Sequence, residues 1–218
     1  GKEYIISGRV LNFMNYGSNS SRTRTLVIGV DKEYKNLFTP YELFPSHCTE
    51  RTLRDIIGNG KFKSLEWGEI CATDFYHAFR TYDLRMRPWI HDLKEGESAF
   101  NNKDPQKRPH RIVNGKIVEN IQKNRDKYTR QRWDRFIQCV HTRNDLLAAQ
   151  NTIHPNEDRV FSIRELMEMM SIPYEFRWVD YSVEKLNLLP DDQKRKIYKE
   201  NEVNIRQCIG EAVPTEVM

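Results

Sequence analysis

The chain has 218 residues, 38% hydrophobic and 30% charged, with a formal net charge of +4. That is material for one large domain or two small ones under a heavily charged surface. No apolar run approaches the length of a membrane span, and the opening Gly-Lys-Glu-Tyr-Ile-Ile is too short in its apolar part for a signal peptide. With no initiator Met, the chain reads as cut from a longer protein or trimmed at its start. The cysteines at 48, 71, 139 and 208 form no Cys-x-x-Cys pair, which argues against a zinc ribbon. Without a secretory signal they read as reduced core thiols of a cytoplasmic protein. The histidines stand singly, so no metal site is expected.

In chain order, residues 4–14 and 24–30 are rich in Ile, Val, Leu, Tyr and Phe, with Gly17, Ser18, Asn19 and Ser20 between them. This reads as strand, turn, strand. The run Leu26-Val27-Ile28-Gly29-Val30 suits a strand buried on both faces of an α/β sheet. Two strands cannot form that sheet alone. Residues 41–160 lack sustained periodicity. Thr52–Ile57 and Asp74–Phe79 read as short helical turns, and the polar stretch from Glu95 to Gln106 as an exposed loop. Residues 111–118 carry Asn114-Gly115 between apolar pairs, the preferred two-residue hairpin turn. At Ser162 the pattern changes. Ser162 with Glu165 forms a capping box, and Ile163, Leu166, Met167 and Met170 recur on one helical face with Arg164, Glu165 and Glu168 off it. Pro173 ends that helix. Pro190-Asp191-Asp192 opens another, its acidic residues suiting the positive end. Ile197, Ile205 and Cys208 face inward on it, and Gly210 stops it.

Charge is unevenly placed. Arg80 to Arg135 holds 15 Lys and Arg against 8 Asp and Glu, a net +7, while the remainder is net −3. A basic middle between slightly acidic ends suits contact with a polyanion.

Three tracts carry a more specific signal. Tyr16-Gly17 followed by Arg22-x-Arg24 and an apolar strand is the first. Two arginines two apart on a strand point the same way, as a fork of donors aimed at one target. Ser162-x-Arg164-Glu165 with Pro173 and Phe176 is the second. Gln207, Ile209, Gly210, Ala212, Val213 and Pro214 form the third, a closing turn. In this order, across nearly the whole chain, they resemble the last blocks of DNA cytosine-5 methyltransferases. Ser18, Asn19 and Ser20 stand where that family has Val, Pro and Gln, and Glu211 where it has Asn.

The resemblance implies an α/β fold. A partial S-adenosylmethionine-dependent methyltransferase sheet would be joined to a mixed, loop-rich target-recognition domain. Residues 1–40 would belong to the catalytic domain, 41–160 to recognition, and 161–218 would return to the catalytic domain. It implies that Arg22 and Arg24 serve catalysis, Arg24 on the flipped cytosine, which must leave the stack before its C6 can be attacked. Gly210, Glu211 and Ala212 would close one side of an S-adenosyl-L-methionine pocket only partly contributed by this chain. Arg164 would brace the recognition domain against the core. Double-stranded DNA would meet Arg85, Arg87, Arg130, Arg132, Arg135, His141, Thr142, Arg143 and Thr152. Either Cys139-Val140 or Thr152-Ile153 would be the counterpart of the family's Thr-aliphatic target contact.

The chemistry also needs a Pro-Cys nucleophile and a Glu-Asn-Val block, and the chain has neither. Glu119-Asn120-Ile121 follows the arginine pair and sits beside a hairpin, the wrong order. Gly58-Asn59-Gly60 follows a helical stretch and not a strand, so it is no cofactor turn. The expectation is the C-terminal portion of such an enzyme, inactive alone. Its partner would be the N-terminal catalytic part of the same enzyme or a separate catalytic subunit, with no membrane involved. The rival expectation is a non-catalytic, sequence-specific DNA-binding specificity subunit.

Overall fold

A computed structural model describes residues 3–121 and 126–214. It opens with strands β1 (Tyr4–Asn12) and β2 (Thr23–Asp31), antiparallel from Tyr4 opposite Asp31 to Asn12 opposite Thr23. The strand-turn-strand reading holds here. The double burial expected of β2 does not. Val27 is 59% exposed and Val10 on β1 is 71% exposed, because the ribbon has no third strand and no helix on its faces among the described residues. The turn between the strands runs inward. A short 3-10 helix over Phe13–Tyr16 ends on Gly17 at φ 100°, a left-handed value natural to glycine. Ser18, Asn19 and Ser20 are then buried. Asn19 donates to the Glu168 carbonyl at 2.8 Å and accepts from Arg51 at 2.9 Å.

The middle is irregular, as its lack of periodicity implied. It holds α1 (Leu53–Ile57), α2 (Arg87–Ile90), and a hairpin of β3 (His110–Val113) and β4 (Lys116–Glu119). Thr52 caps α1 reciprocally with Asp55, which lets a helix of barely more than one turn persist. Asp74–Phe79 is a turn and an extended bridge, not helix. There Phe75, Tyr76 and Ala78 are buried in succession, and burial on all sides leaves no helical period to form. In the segment from Glu95 to Gln106, Ser98 and Ala99 are buried as anchors and not exposed.

The chain ends in α3 (Ile163–Met169), α4 (Val183–Asn187) and α5 (Asp191–Glu211). The Ser162–Glu165 capping box is formed. The short α4, capped by Ser182, carried no apolar period long enough to stand out in sequence. One apolar cluster joins α1, α3 and α5 through Leu53, Ile163, Leu166, Ile205 and Ile209. A second gathers the middle segment around Trp89, Ile90, Leu147 and Ile153. Cys208 is exposed, contrary to expectation, and of the cysteines only Cys71 is buried. No described helix is long and apolar enough to cross a membrane.

Candidate functional site

The first and third sequence tracts meet at one junction, and the first touches the helix of the second through Asn19 on the Glu168 carbonyl. Arg22 lies just before β2, outside the ladder, with its N–H held by Asn12 Oδ1 at 3.1 Å. It therefore escapes the strand alternation that would have aimed it with Arg24. Its side chain is buried. It donates from Nη1 to the Gly210 carbonyl at 2.9 Å and from Nη2 to the Glu211 carbonyl at 3.1 Å. Burial, and then the neighbouring Arg24, pull its pKa down. Arg24 is exposed, and among the described residues its side chain bonds only the adjacent Thr23 carbonyl, at 2.7 Å. The pair expected to act together is thus divided. Arg22 commits its Nη donors to the chain itself, while Arg24 keeps all but the donor on Thr23 open among the described residues.

The closing turn is gripped from a second side. Helix α5 runs through Gly210 and ends at Glu211, so Gly210 does not stop it. Glycine is required there for another reason. A Cβ on Gly210 would meet the His141 carbonyl and the Thr142 nitrogen at 2.5 Å. The Cα of Gly210 therefore faces a peptide and not a ligand cavity. Asn144 reinforces the contact, donating to the carbonyls of His141 at 2.6 Å and Arg206 at 2.9 Å. Glu211 is exposed, its carboxylate accepting from Gln207 at 2.9 Å. Ala212 packs half-buried against the core.

Arg164 is 2% exposed, although the helical period had set it off the apolar face. Its Nε and Nη2 bond both oxygens of Asp74, at 2.7 and 3.1 Å, and its guanidinium lies 3.8 Å from the Tyr174 ring centre. It ties α3 to the middle segment. Glu165 is buried too. Its partner is Arg159, which bonds it at 2.8 and 3.0 Å and bonds Glu157 at 2.8 and 2.9 Å. Burial alone would raise the Glu165 pKa, but Arg159 outweighs it and holds the carboxyl at about 2.

The expected DNA contacts fare unevenly. Arg130 is buried, bonding the carbonyls of Ile90, His154 and Glu157 and the Asp158 carboxylate. Thr152 is buried with its hydroxyl on the Leu146 carbonyl at 2.8 Å. Neither can reach a duplex, and both expectations are corrected on that ground. Arg85 closes on Asp83, Arg87 on Glu66 while lying over Trp67, and Arg143 on Asp145. Of these pairs only Arg87–Glu66 draws a carboxylate from outside the net +7 stretch, since Arg85–Asp83 lies within it and Arg143–Asp145 beyond it. Arg132 and Arg135 are exposed without an ion-pair partner among the described residues. His141 and Thr142 are half-buried beside Gly210. No three His, Cys, Asp or Glu side chains gather at a metal-binding distance among the described residues.

Beneath this lies a titrating group that sequence reasoning missed. His154 is buried, and its Nδ1 accepts from the N–H groups of Asn156 and Glu157, both at 3.2 Å. An acceptor nitrogen requires a neutral ring. Burial first, and Arg159 second, lower its pKa to about 4, against the opposing pull of Glu165 and Glu157. The unfolded chain titrates near 6.5. Stability from this site is therefore full above pH 6.5 and is lost as pH falls toward 4, by about 3 kcal/mol in all. Urea midpoints should drop between pH 6.5 and 5, and His154→Gln should flatten that slope. A wild-type profile flat over this window would contradict the assignment.

The chain matches a family model, C-5 cytosine-specific DNA methylase, over residues 1–218. It is 24% identical over 177 residues to a Type II methylase, M.HgiDII, of Herpetosiphon aurantiacus, covering 80% of this chain and 47% of the relative. The fold is similar to an E. coli structure described as a prophage-encoded DNA modification methyltransferase, with TM-score 0.58 and 16% identity over 98% of this chain and 57% of the other. The chain thus spans about half the length of the relatives it matches. With a family model that covers its whole length, the chain belongs to the C-5 cytosine-specific DNA methylases.

Proposed function

We propose that this chain is the C-terminal portion of a DNA cytosine-5 methyltransferase. It supplies the recognition segment, one arginine of the base pocket and one edge of the cofactor pocket. The observation that carries the reading is the junction of Arg22 with the Gly210 and Glu211 carbonyls, with Arg24 left open beside it. Residues 1–40 and 161–218 then form one body around that junction. Residues 41–160 are held to it by Arg164 on Asp74 and by the His141–Thr142 peptide on Gly210.

In this reading Arg24 donates to the polar edge of a cytosine flipped from the duplex. Exposed and without an ion-pair partner among the described residues, it has no ion pair to break before it meets a base, which must itself repay the lost hydration. S-adenosylmethionine, which supplies the methyl group when bound, would be lined by Glu211 and Ala212. Glu211 fits as a side-chain acceptor with an exposed carboxylate. Gly210 contributes through its backbone carbonyl and its close packing. The exposed faces of β1 and β2 are covered by the catalytic part of the enzyme, which also brings the nucleophile.

The test is complementation. Alone, the chain should incorporate no label from S-adenosylmethionine into DNA. Combined with a polypeptide bearing the Pro-Cys and Glu-Asn-Val blocks of its own enzyme, it should methylate cytosine C5. Incorporation by the chain alone, or none by the pair, would refute the proposal.

A further inference from the structure

The β3–β4 hairpin has no task in the reading above. Arg111, Ile112, Val113 and all of β4 are exposed. Its base is nonetheless fixed. Asn120 donates to the Pro109 carbonyl at 2.9 Å, Arg108 pairs with Glu119 at 3.4 Å, and the His110 ring lies 5.2 Å from the Trp89 ring, edge to face. At the tip, Asn114 and Gly115 both have positive φ, 50° and 74°. Such a turn matches the twist of its strands and keeps the ribbon stiff.

The ribbon has two unlike faces. Arg111 pairs with Val118 and Val113 with Lys116, so these four share one face. His110, Ile112, Ile117 and Glu119 share the other, which turns to Trp89. Arg111 and Lys116 therefore stand together on one exposed face. Neither has an ion-pair or hydrogen-bond partner among the described residues. This separates them from Arg85, Arg87 and Arg143, each answered by its own carboxylate. Residues 103–119 carry five Lys and Arg against two acidic residues, of which Glu119 is taken by Arg108.

Four residue pairs rise roughly 13 Å at about 3.3 Å each. A B-DNA major groove is about 12 Å wide and about 8.5 Å deep, and it admits a two-stranded ribbon. Resting on the DNA-methylating function proposed above, we propose that the β3–β4 hairpin enters the major groove of the substrate duplex. Arg111 and Lys116 meet phosphates on the groove wall. Asn114, at the tip, reads a base edge, and an Asn amide in the major groove pairs with adenine through N6 and N7.

The complete enzyme and a random-sequence duplex pool provide the test, read by bisulfite sequencing and by binding at several salt concentrations. Arg111→Ala/Lys116→Ala should weaken binding and reduce the slope of log K against log salt by roughly 1.8, about 0.9 for each phosphate no longer neutralised. Asn114→Gly preserves the turn, since Gly-Gly also favours it, and removes only the amide. It should relax discrimination at one adenine position by roughly 5- to 150-fold while sparing the others. A wild-type salt slope in the double variant with an unchanged methylated sequence for Asn114→Gly would overturn the inference and leave the methyltransferase reading standing. Loss of assembly with the catalytic part, with DNA affinity intact, would make the hairpin a protein contact and also overturn it. If the wild-type enzyme leaves the pool unmethylated, the functional reading itself fails and the hairpin assignment falls with it.

Discussion

Replacing Arg159 with methionine is expected to remove about 3–5 kcal/mol of stability, a fall in Tm of roughly 6–20 °C for a chain of this size. Arg159 is 2% exposed, and its guanidinium lies 4.4 Å from the Phe79 ring centre. It answers Glu157 and Glu165 at once. Methionine fills a similar volume but leaves Glu165 a buried carboxylate without its cation. That same carboxylate accepts the Ser162 N–H at 2.7 Å to cap α3, so the loss reaches the helix start. Adding Glu165→Gln removes the stranded charge and keeps a capping oxygen. The double variant should regain a large share of the loss, and urea denaturation measures both. A single variant within about 1 kcal/mol of wild type would show that the pair is not the keystone its burial suggests.

The second large effect separates two neighbours. In the reconstituted enzyme, Arg24→Ala should lower turnover by a factor on the order of 10²–10³, the scale of one donor lost from a charged transition state. Its Tm should hold, because Arg24 is exposed and bonds only Thr23. Arg22→Ala should do the reverse first. It strips the Gly210 and Glu211 carbonyls of their donors and should cost about 1–3 kcal/mol, with any loss of turnover following from the loosened turn. Methylation rate, DNA affinity and Tm for both variants decide it. Wild-type turnover for Arg24→Ala with intact DNA affinity would refute its role at the base. A large Tm loss for the same variant would make it structural.

What the sequence showed were features decided by neighbours along the chain. The capping box at Ser162 and the Asn114-Gly115 hairpin formed as read, because each is settled within a few residues. What it hid were features decided by partners far away. Arg164 and Glu165 fall off the apolar face by period, yet both are buried, since Asp74 lies 90 positions from Arg164 and Arg159 folds back over Glu165. The same blindness put Arg130 on DNA. A basic residue in a basic stretch gives no sign that four carbonyls and Asp158 wait for it inside. At the site, Arg24 was legible as an open strand donor. Arg22 was misjudged because strand alternation was extended one residue beyond the strand.

The joint beneath Gly210 has a consequence for how target preference changes hands. Arg22 grips carbonyls, Gly210 abuts a peptide, Asn144 donates to carbonyls, and Arg206 donates to the Phe161 carbonyl at 2.9 Å. At His141 and Thr142 Gly210 meets main-chain atoms, which every amino acid carries alike, and beside them the Asn144 side chain accepts from Arg206 at 3.1 Å. A relative's segment grafted at this seam would therefore need Asn144, a backbone that follows the same path, and a residue 210 that stays bare. Exchange of this segment between enzymes would be limited there by contour and by a single amide.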